Sequence, residues 1–520
     1  MPRTIKKSLF IFCFGVLSLP IFLLLADTAA AIGQNGLTTF SQAVSLRRLQ
    51  LLGTSCGFSA AAAGLSVICG LGVACFLISL KPARRKEFLT LAAASAVVAP
   101  YIHALCLSGA VDTINLWCGQ FGFSGLVFEG WSAALCSQVA AYLPAAGVLI
   151  YVGLRRIDSQ LVEAGQVYAG ADRAFWGVAV AASQPVIVVT AIIFFLVSLS
   201  DYSIPSLFSR PFYSLEIFSE YSLGSRPGQV MVIALPLVAI AALFAAISLG
   251  KIRQAPQPET RAASWHLPEA GSIKVLAGAG GAIFCFQQLV LWGYLFYSAG
   301  NPAKVVDELA PALPALAFSL ATALVTALTC AACGYCMAQF FGKKGWEARI
   351  SQVLGLVCLF MPGALIGIAA LVSARDFLGF LYGNSGLTVY ALTLRFWPIA
   401  ALIVYAGITR QDKALLDAAS LYQKNWWQGF ARVRMVLLRG PLLAAGCAAA
   451  VLALAEVAST IITIPAGSEA VSVRIYNYLH YGASGEVAAL SLISALTSVL
   501  AAGVIARTTG FIQKYGDDRN

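Results

Sequence analysis

The sequence predicts an all-α polytopic membrane protein with about twelve transmembrane helices. Three observations carry that expectation. Hydrophobic residues make up 59% of the 520 positions and charged residues only 11%, against about 45–50% and about 25% in soluble domains; mean hydropathy is +0.81. So few charges cannot coat a water-facing surface, which excludes a soluble enzyme, a disordered chain and a nucleic-acid binder. Apolar runs of the ~20 residues needed to cross a bilayer recur along the whole chain. The net charge of +11 is concentrated in alternate loops, as expected where cationic loops resist translocation.

The apolar runs place spans at about 8–26, 53–80, 88–111, 131–154, 183–201 and 229–250, then 275–298, 312–341, 351–373, 386–408, 441–464 and 487–507. All are expected to be helices, because backbone exposed to lipid must satisfy its own hydrogen bonds. The first span follows Arg3, Lys6 and Lys7 and precedes Ala29-Ala30-Ala31, as a signal peptide would. Its apolar stretch from Ser8 to Ala26 exceeds the usual ~7–15 residue signal core, so an uncleaved span is expected. With a cytoplasmic N-terminus, the even-numbered loops and both tails hold 26 of the 34 Lys and Arg residues. The other eight are Arg47, Arg48, Arg210, Arg226, Lys304, Arg375, Arg395 and Arg474. That split predicts a multi-pass protein with both termini cytoplasmic. Most of the thirteen cysteines lie inside apolar runs, where a free thiol behaves as a small hydrophobe.

The one long polar linker, about 251–274, carries Pro256, Pro258 and Pro268 near the middle of the chain. A central linker invites a search for a repeat, and the halves do repeat. Tyr142-Leu143-Pro144 matches Phe396-Trp397-Pro398 and LVEAG at 161–165 matches LLDAA at 415–419, both 254 residues apart. Pro185 matches Pro441 at 256, and Asp201 matches Glu456 at 255. Glu216-Ile217-Phe218 echoes Arg474-Ile475-Tyr476 more weakly. The expected organisation is a six-span unit over 1–252, a cytoplasmic linker over 253–274 and a second six-span unit over 275–520. The repeat is parallel, so the units should face each other across a pseudo-two-fold axis along the membrane normal.

The loops 157–185 and 409–441 carry the functional signal. Each is an amphipathic segment after a Pro-containing span, with an acid before two small residues: Glu163-Ala164-Gly165 and Asp417-Ala418-Ala419. Small side chains let another surface approach closely, and an acid in the first turn of a short helix favours its dipole. Both loops resemble the EAA motif of ABC importer permeases: EAA, three residues, Gly, about nine residues, then a short apolar stretch ending in Pro. The resemblance covers nearly the whole chain, each half looking like one six-span type I importer permease domain. It implies that Glu163, Ala164, Gly165 and Gly170 belong to one helix coupling the chain to a cytoplasmic ATPase, and Asp417, Ala418 and Ala419 to a second. Gly170 sits one residue later than the pattern, Gln423 occupies the second Gly position, Asp417 replaces Glu, and Pro185 and Pro441 fall a few residues late.

The fused form resembles the branch with ferric iron, thiamine, polyamine and phosphonate permeases. Segments 452–483 and 200–208 look most like the ferric iron members. The implied partners are two copies of an ATPase subunit, a periplasmic substrate-binding protein and the lipid bilayer of a bacterial inner membrane, with no nucleic acid. No Gly-x4-Gly-Lys-Ser/Thr sequence is present, so ATP hydrolysis is expected on a partner chain; no catalytic residue and no cofactor is expected on this one.

Asp201 and Glu456, at matching repeat positions near the outer ends of their spans, are candidate translocation-pathway residues, because intramembrane carboxylates usually face a cavity or a partner. Capping of helices, or contact with the binding protein, is the plainer expectation for them. Arg395 is expected to snorkel, with a carboxylate partner as the alternative. Cys330, Cys333 and Cys336 lie in an apolar helix and lack the fourth ligand of an iron–sulfur cluster, and His103, His266 and His480 have no metal-ligand spacing. No metal site is expected. A secondary transporter is the rival class; it requires intramembrane coupling charges, which are few here, and does not require the paired loops.

Overall fold

The computed structural model describes residues 3–35, 45–254, 267–300, 309–342, 345–411, 413–422, 425–481 and 484–509. Most of the linker, with Pro256, Pro258 and His266, lies outside the described residues, as do Lys343, Lys344 and Gln423. Among the described residues the chain is helical, with no strand. Ten helices are long and apolar enough to cross a bilayer, and two sharply bent pairs bring the number to twelve.

The first half runs α1 (Arg3–Asn35), α2 (Leu46–Ser79), α3 (Pro82–Ala96), α4 (Pro100–Gln120), α5 (Gly130–Leu154) and α6 (Ser159–Ala169). It continues with α7 (Ala171–Ser200), α8 (Ser203–Leu207), α9 (Tyr213–Ser222) and α10 (Pro227–Gln254). The second half runs α11 (Gly271–Ala299), α12 (Leu313–Phe341), α13 (Trp346–Phe360), α14 (Gly363–Asp376), α15 (Ser385–Thr409) and α16 (Lys413–Tyr422). It ends with α17 (Trp427–Ala455), α18 (Thr460–Thr463), α19 (Val471–Tyr481) and α20 (Ser484–Thr509). The order of long, bent and short helices from α1 to α10 recurs from α11 to α20.

Two expected spans are not continuous. The third turns by 100° between α3 and α4, and the ninth by 114° between α13 and α14. Each turn falls at a proline. Pro100 and Pro362 disfavour helical geometry at the residue before them, and Ala99 (ψ 137°) and Met361 (ψ 138°) are extended. Pro144, Pro185, Pro398 and Pro441, by contrast, stay inside their helices. Other boundaries move too. α7 begins twelve residues before the expected start of the fifth span at 183, and α17 ends at Ala455 rather than 464. In both helices a π-helical turn, Phe175–Val180 and Phe430–Arg434, carries the apolar span back into the preceding loop.

The packing exchanges elements between the halves. α1 lies against α12 and α14, and its counterpart α11 lies against α2 and α4. Likewise α10 touches α13 and α20 touches α3. Within each half, α2 packs on α5 and α7, and α12 on α15 and α17. Small residues permit the closest crossings, as is usual where lipid supplies no hydrophobic drive between helices. A Cβ on Gly70 would stand 2.9 Å from the Cβ of Ala146, and one on Gly280 would overlap the Gly72 carbonyl carbon. Backbone therefore meets backbone where α11 crosses α2. Matched hydrogen bonds tie down the short helices: Ser55 Oγ accepts from Tyr213 N at 3.0 Å, and Ser319 Oγ accepts from Val471 N at 2.8 Å.

Gly280→Val should force α11 away from α2 and cost about 1–3 kcal/mol, the usual scale of overpacking. The expected result is a lower thermal midpoint in detergent. Gly278→Ala, one turn position where a Cβ meets nothing within 4 Å, should leave the midpoint unchanged.

Candidate functional site

Two sets of residues stand at opposite ends of the spans. α6 and α16 lie at one end, between α5 and α7 and between α15 and α17. The short helices α8, α9, α18 and α19 lie at the other.

α6 starts with Asp158 as its cap, Oδ1 accepting from Gln160 N at 2.9 Å. That start places Glu163 fifth in the helix, and Asp417 is likewise fifth in α16. Neither acid is in the first turn, so the expected interaction with the helix dipole is corrected. Their common position is on the exposed surface: Glu163, Ala164, Asp417 and Ala418 are all exposed. Gly165 faces the other way, where a Cβ would meet Val178 at 3.1 Å and Ala174 at 3.3 Å. It lets α6 rest against the π-helical turn while Val162 is fully buried. Gly170, with φ 85°, makes the turn between α6 and α7, a conformation that favours glycine. Around the acids the helices leave large apolar side chains uncovered: Leu161, Val167 and Tyr168 on α6, Leu415 and Leu421 on α16. The sequence match therefore extends beyond LVEAG and LLDAA, since Val167-Tyr168 corresponds to Leu421-Tyr422 at the same offset of 254.

At the far end, Asp201 and Glu456 are the C-caps of α7 and of the helix that ends at Ala455. Asp201 Oδ1 accepts from Ser203 N at 2.9 Å. Glu456 Oε1 accepts from Ser459 N at 3.1 Å and from Ser459 Oγ at 3.3 Å. The two lie close enough for the charge of one to act on the other. Glu456 also pairs with Arg395, Nε to Oε2 at 3.2 Å, with both side chains largely buried. The expectation that Arg395 snorkels is overturned: a carboxylate from a different span reaches it in the protein interior, which removes any gain from extending to the interface. Gly363, at the first turn of α14, is what admits this pair; a Cβ there would lie 2.5 Å from Glu456 Oε1 and would also strike Arg395 Nη1.

Contacts between halves join the elements at this end, beside a cavity of about 660 Å³ lined by Asp112, Glu129, Arg210 and Tyr478 among others. Ser206 Oγ on α8 and the Tyr476 hydroxyl on α19 are 3.0 Å apart, and the rings of Tyr202 and Tyr476 are 6.2 Å apart. Ser200 Oγ donates to the Phe360 carbonyl at 3.1 Å, at the break between α13 and α14. At the other break, α11 supplies the cover. Gln287 Nε2 meets His103 Nδ1 at 3.2 Å, His103 Nε2 reaches the Ser95 carbonyl at 3.3 Å, and Gln288 Nε2 donates to Ser95 Oγ at 2.8 Å. Toward the α6 and α16 end, a cavity of about 860 Å³ opens between α3, α5, α15, α17 and α20, lined by Leu149, Gly407, Arg410 and Gln411 among others.

The sequence pointed to Asp201 and Glu456 and offered a carboxylate partner for Arg395 only as an alternative, without naming which; it did not point to Tyr101, Tyr202 or Gly363 as their neighbours. The prolines at 100 and 362 were the available signal for the last group, since a broken span exposes backbone that needs polar cover. Cys333 and Cys336 pack on α12 in the same apolar core as Cys13 of α1. Among the described residues no three His, Cys, Asp or Glu side chains are placed to hold a metal ion.

Arg395→Gln should destabilise the chain by about 3–5 kcal/mol, because it leaves Glu456 buried without its partner. Arg395→Gln with Glu456→Gln should recover most of that loss in the same thermal-unfolding measurement. No protein-family model and no curated protein sequence matched the chain.

Proposed function

We propose that this chain is the fused transmembrane subunit of a binding-protein-dependent ABC importer, driven by two copies of a partner ATPase. In this reading residues 1–252 and 275–520 are two six-span type I permease domains about a pseudo-two-fold axis, in a bacterial inner membrane with both termini cytoplasmic. The chain is not itself an enzyme. A periplasmic binding protein delivers the cargo at the α8 and α19 end. Ferric iron is the proposed cargo, on the likeness of segments 200–208 and 452–483; thiamine, a polyamine or a phosphonate is the alternative.

The observation that carries the proposal is the pair of end helices, α6 and α16. Each sits at the same place in its half and exposes an acid, a small residue and uncovered apolar side chains. Two such handles at one end of a bundle suit a two-fold motor. Reciprocal packing of α1 on the second half and α11 on the first supports the two-domain arrangement. It also means the halves cannot separate without moving the exchanged helices.

Mechanically, drawing α6 and α16 together moves α7 and α17, to which they are joined through the π-helical turns. Those same helices end at Asp201 and Glu456. Their displacement therefore acts on the contacts that join the halves at the far end, Ser206 to Tyr476 and Ser200 to Phe360. Cavities open at both ends, about 860 Å³ toward α6 and α16 and about 660 Å³ beside α8 and α19, with the Asp201 and Glu456 layer between them.

Two experiments test the proposal. The full chain, coexpressed with its cognate ATPase, should retain that ATPase through detergent purification, and Glu163→Arg with Asp417→Arg should weaken retention about tenfold or more, the equivalent of ~1.4 kcal/mol. Unchanged retention in the double variant would remove α6 and α16 as the docking elements. Separately, cysteines placed at Ser206 and Tyr476 and joined by a short thiol-reactive cross-linker should block uptake while the ATPase stays bound.

A further inference from the structure

Asp201, half-buried at the end of α7, makes no direct ion pair among the described residues, whereas Glu456 has Arg395. A carboxylate without a direct counter-charge at the end of a span normally faces a cavity or a partner. Two further groups lack partners beside it. The hydroxyls of Tyr101 and Tyr202 are buried and make no hydrogen bond, and each residue is only 2% exposed. Tyr101 lies within electrostatic reach of Asp201 and Glu456, and Tyr202 within reach of both carboxylates and of Arg395. Buried polar groups are nearly always hydrogen-bonded. Unpartnered phenol oxygens within electrostatic reach of a carboxylate that has no direct ion pair are poor packing and available ligands.

We propose that Asp201, Tyr101 and Tyr202 form an occluded transit site for a hard cation, with the Arg395–Glu456 pair setting its charge. Two carboxylates against one guanidinium leave one net negative charge. The donors are carboxylate and phenol oxygens, without sulfur or imidazole, which suits hard cations over soft ones. The carboxylates are too few to cage a resident metal, in keeping with the absence of any such cluster among the described residues; a cargo in passage needs a weaker site that releases it. Tyr202 stacks on Phe218 at 5.7 Å between ring centroids and meets the Tyr476 ring at 6.2 Å, so a change at the α8–α19 contact moves one of the donors. Only the identification of this cation as imported cargo rests on the importer proposal.

The test uses terbium(III), a hard oxygen-seeking cation whose luminescence is sensitised by nearby tyrosine. The full chain in detergent should give a saturable terbium signal that gallium(III) displaces and tetramethylammonium does not. Asp201→Asn should weaken terbium binding about tenfold or more, with ATPase retention unchanged. Tyr101→Phe, which removes one oxygen and keeps the ring's shape, should weaken it less, and it decides the question if Asp201→Asn does not fold. Wild-type affinity in the folded variants would overturn the site, as would displacement by tetramethylammonium alone. A chain that binds terbium through Asp201 yet never retains an ATPase would remove the importer proposal and leave the site standing.

Discussion

Backbone that leaves the helix at membrane depth must be covered by protein, because lipid offers no hydrogen bonds. The two breaks, after Ala96 and after Phe360, obey that constraint in the same way. Each is covered from the opposite half: α11 brings Gln287 and Gln288 to the first, and α7 brings Ser200 to the second. The exchange of α1, α10, α11 and α20 between the halves is thus more than a packing pattern. At the first break the exchanged helix α11 supplies the polar groups, and at the second α7 does.

Much of this was legible in the sequence, because its information was periodic or repeated. Long apolar runs fix where helices cross, and an offset near 255 is preserved by Pro185 and Pro441, by Asp201 and Glu456, and by the acids of α6 and α16. The breaks were not legible from composition. Pro100 and Pro362 sit in apolar runs much like those of Pro144 and Pro398, yet only the first two end a helix. A proline frees backbone groups wherever it occurs. Whether the helix bends slightly or turns through 100° depends on what neighbouring helices offer, and that is a tertiary property. The Arg395–Glu456 pair was hidden for a related reason. The two residues are 61 positions apart on different spans, so neither hydropathy nor spacing brings them together.

At the candidate site the sequence supplied the carboxylates and missed the phenols. Tyrosine in an apolar span gives no signal, since its ring belongs in a core and its hydroxyl usually finds a carbonyl. Tyr213 and Tyr390 behave in that way, donating to the carbonyls of Ile233 at 2.6 Å and Val16 at 2.7 Å. Tyr101 and Tyr202 do not, and only coordinates distinguish the two cases.

The departures from symmetry matter as much as the symmetry. Arg395 occupies the repeat position of Ala141, and Asp201 that of Glu456. In a homodimer of half-length chains, both carboxylates would receive a guanidinium or neither would. Two would cancel the negative charge of the layer; none would leave two uncompensated acids close together, where mutual repulsion favours protonation of one. A single chain that carries both positions allows an intermediate, one acid paired with a guanidinium and one not, which leaves one net negative charge. The shorter Asp201 side chain stays close to its own helix end, capped by Ser203, while the longer Glu456 reaches Arg395 past Gly363. The repeat sets α6 and α16 alike against α7 and α17, and its local failure gives the far ends of those helices unequal charge.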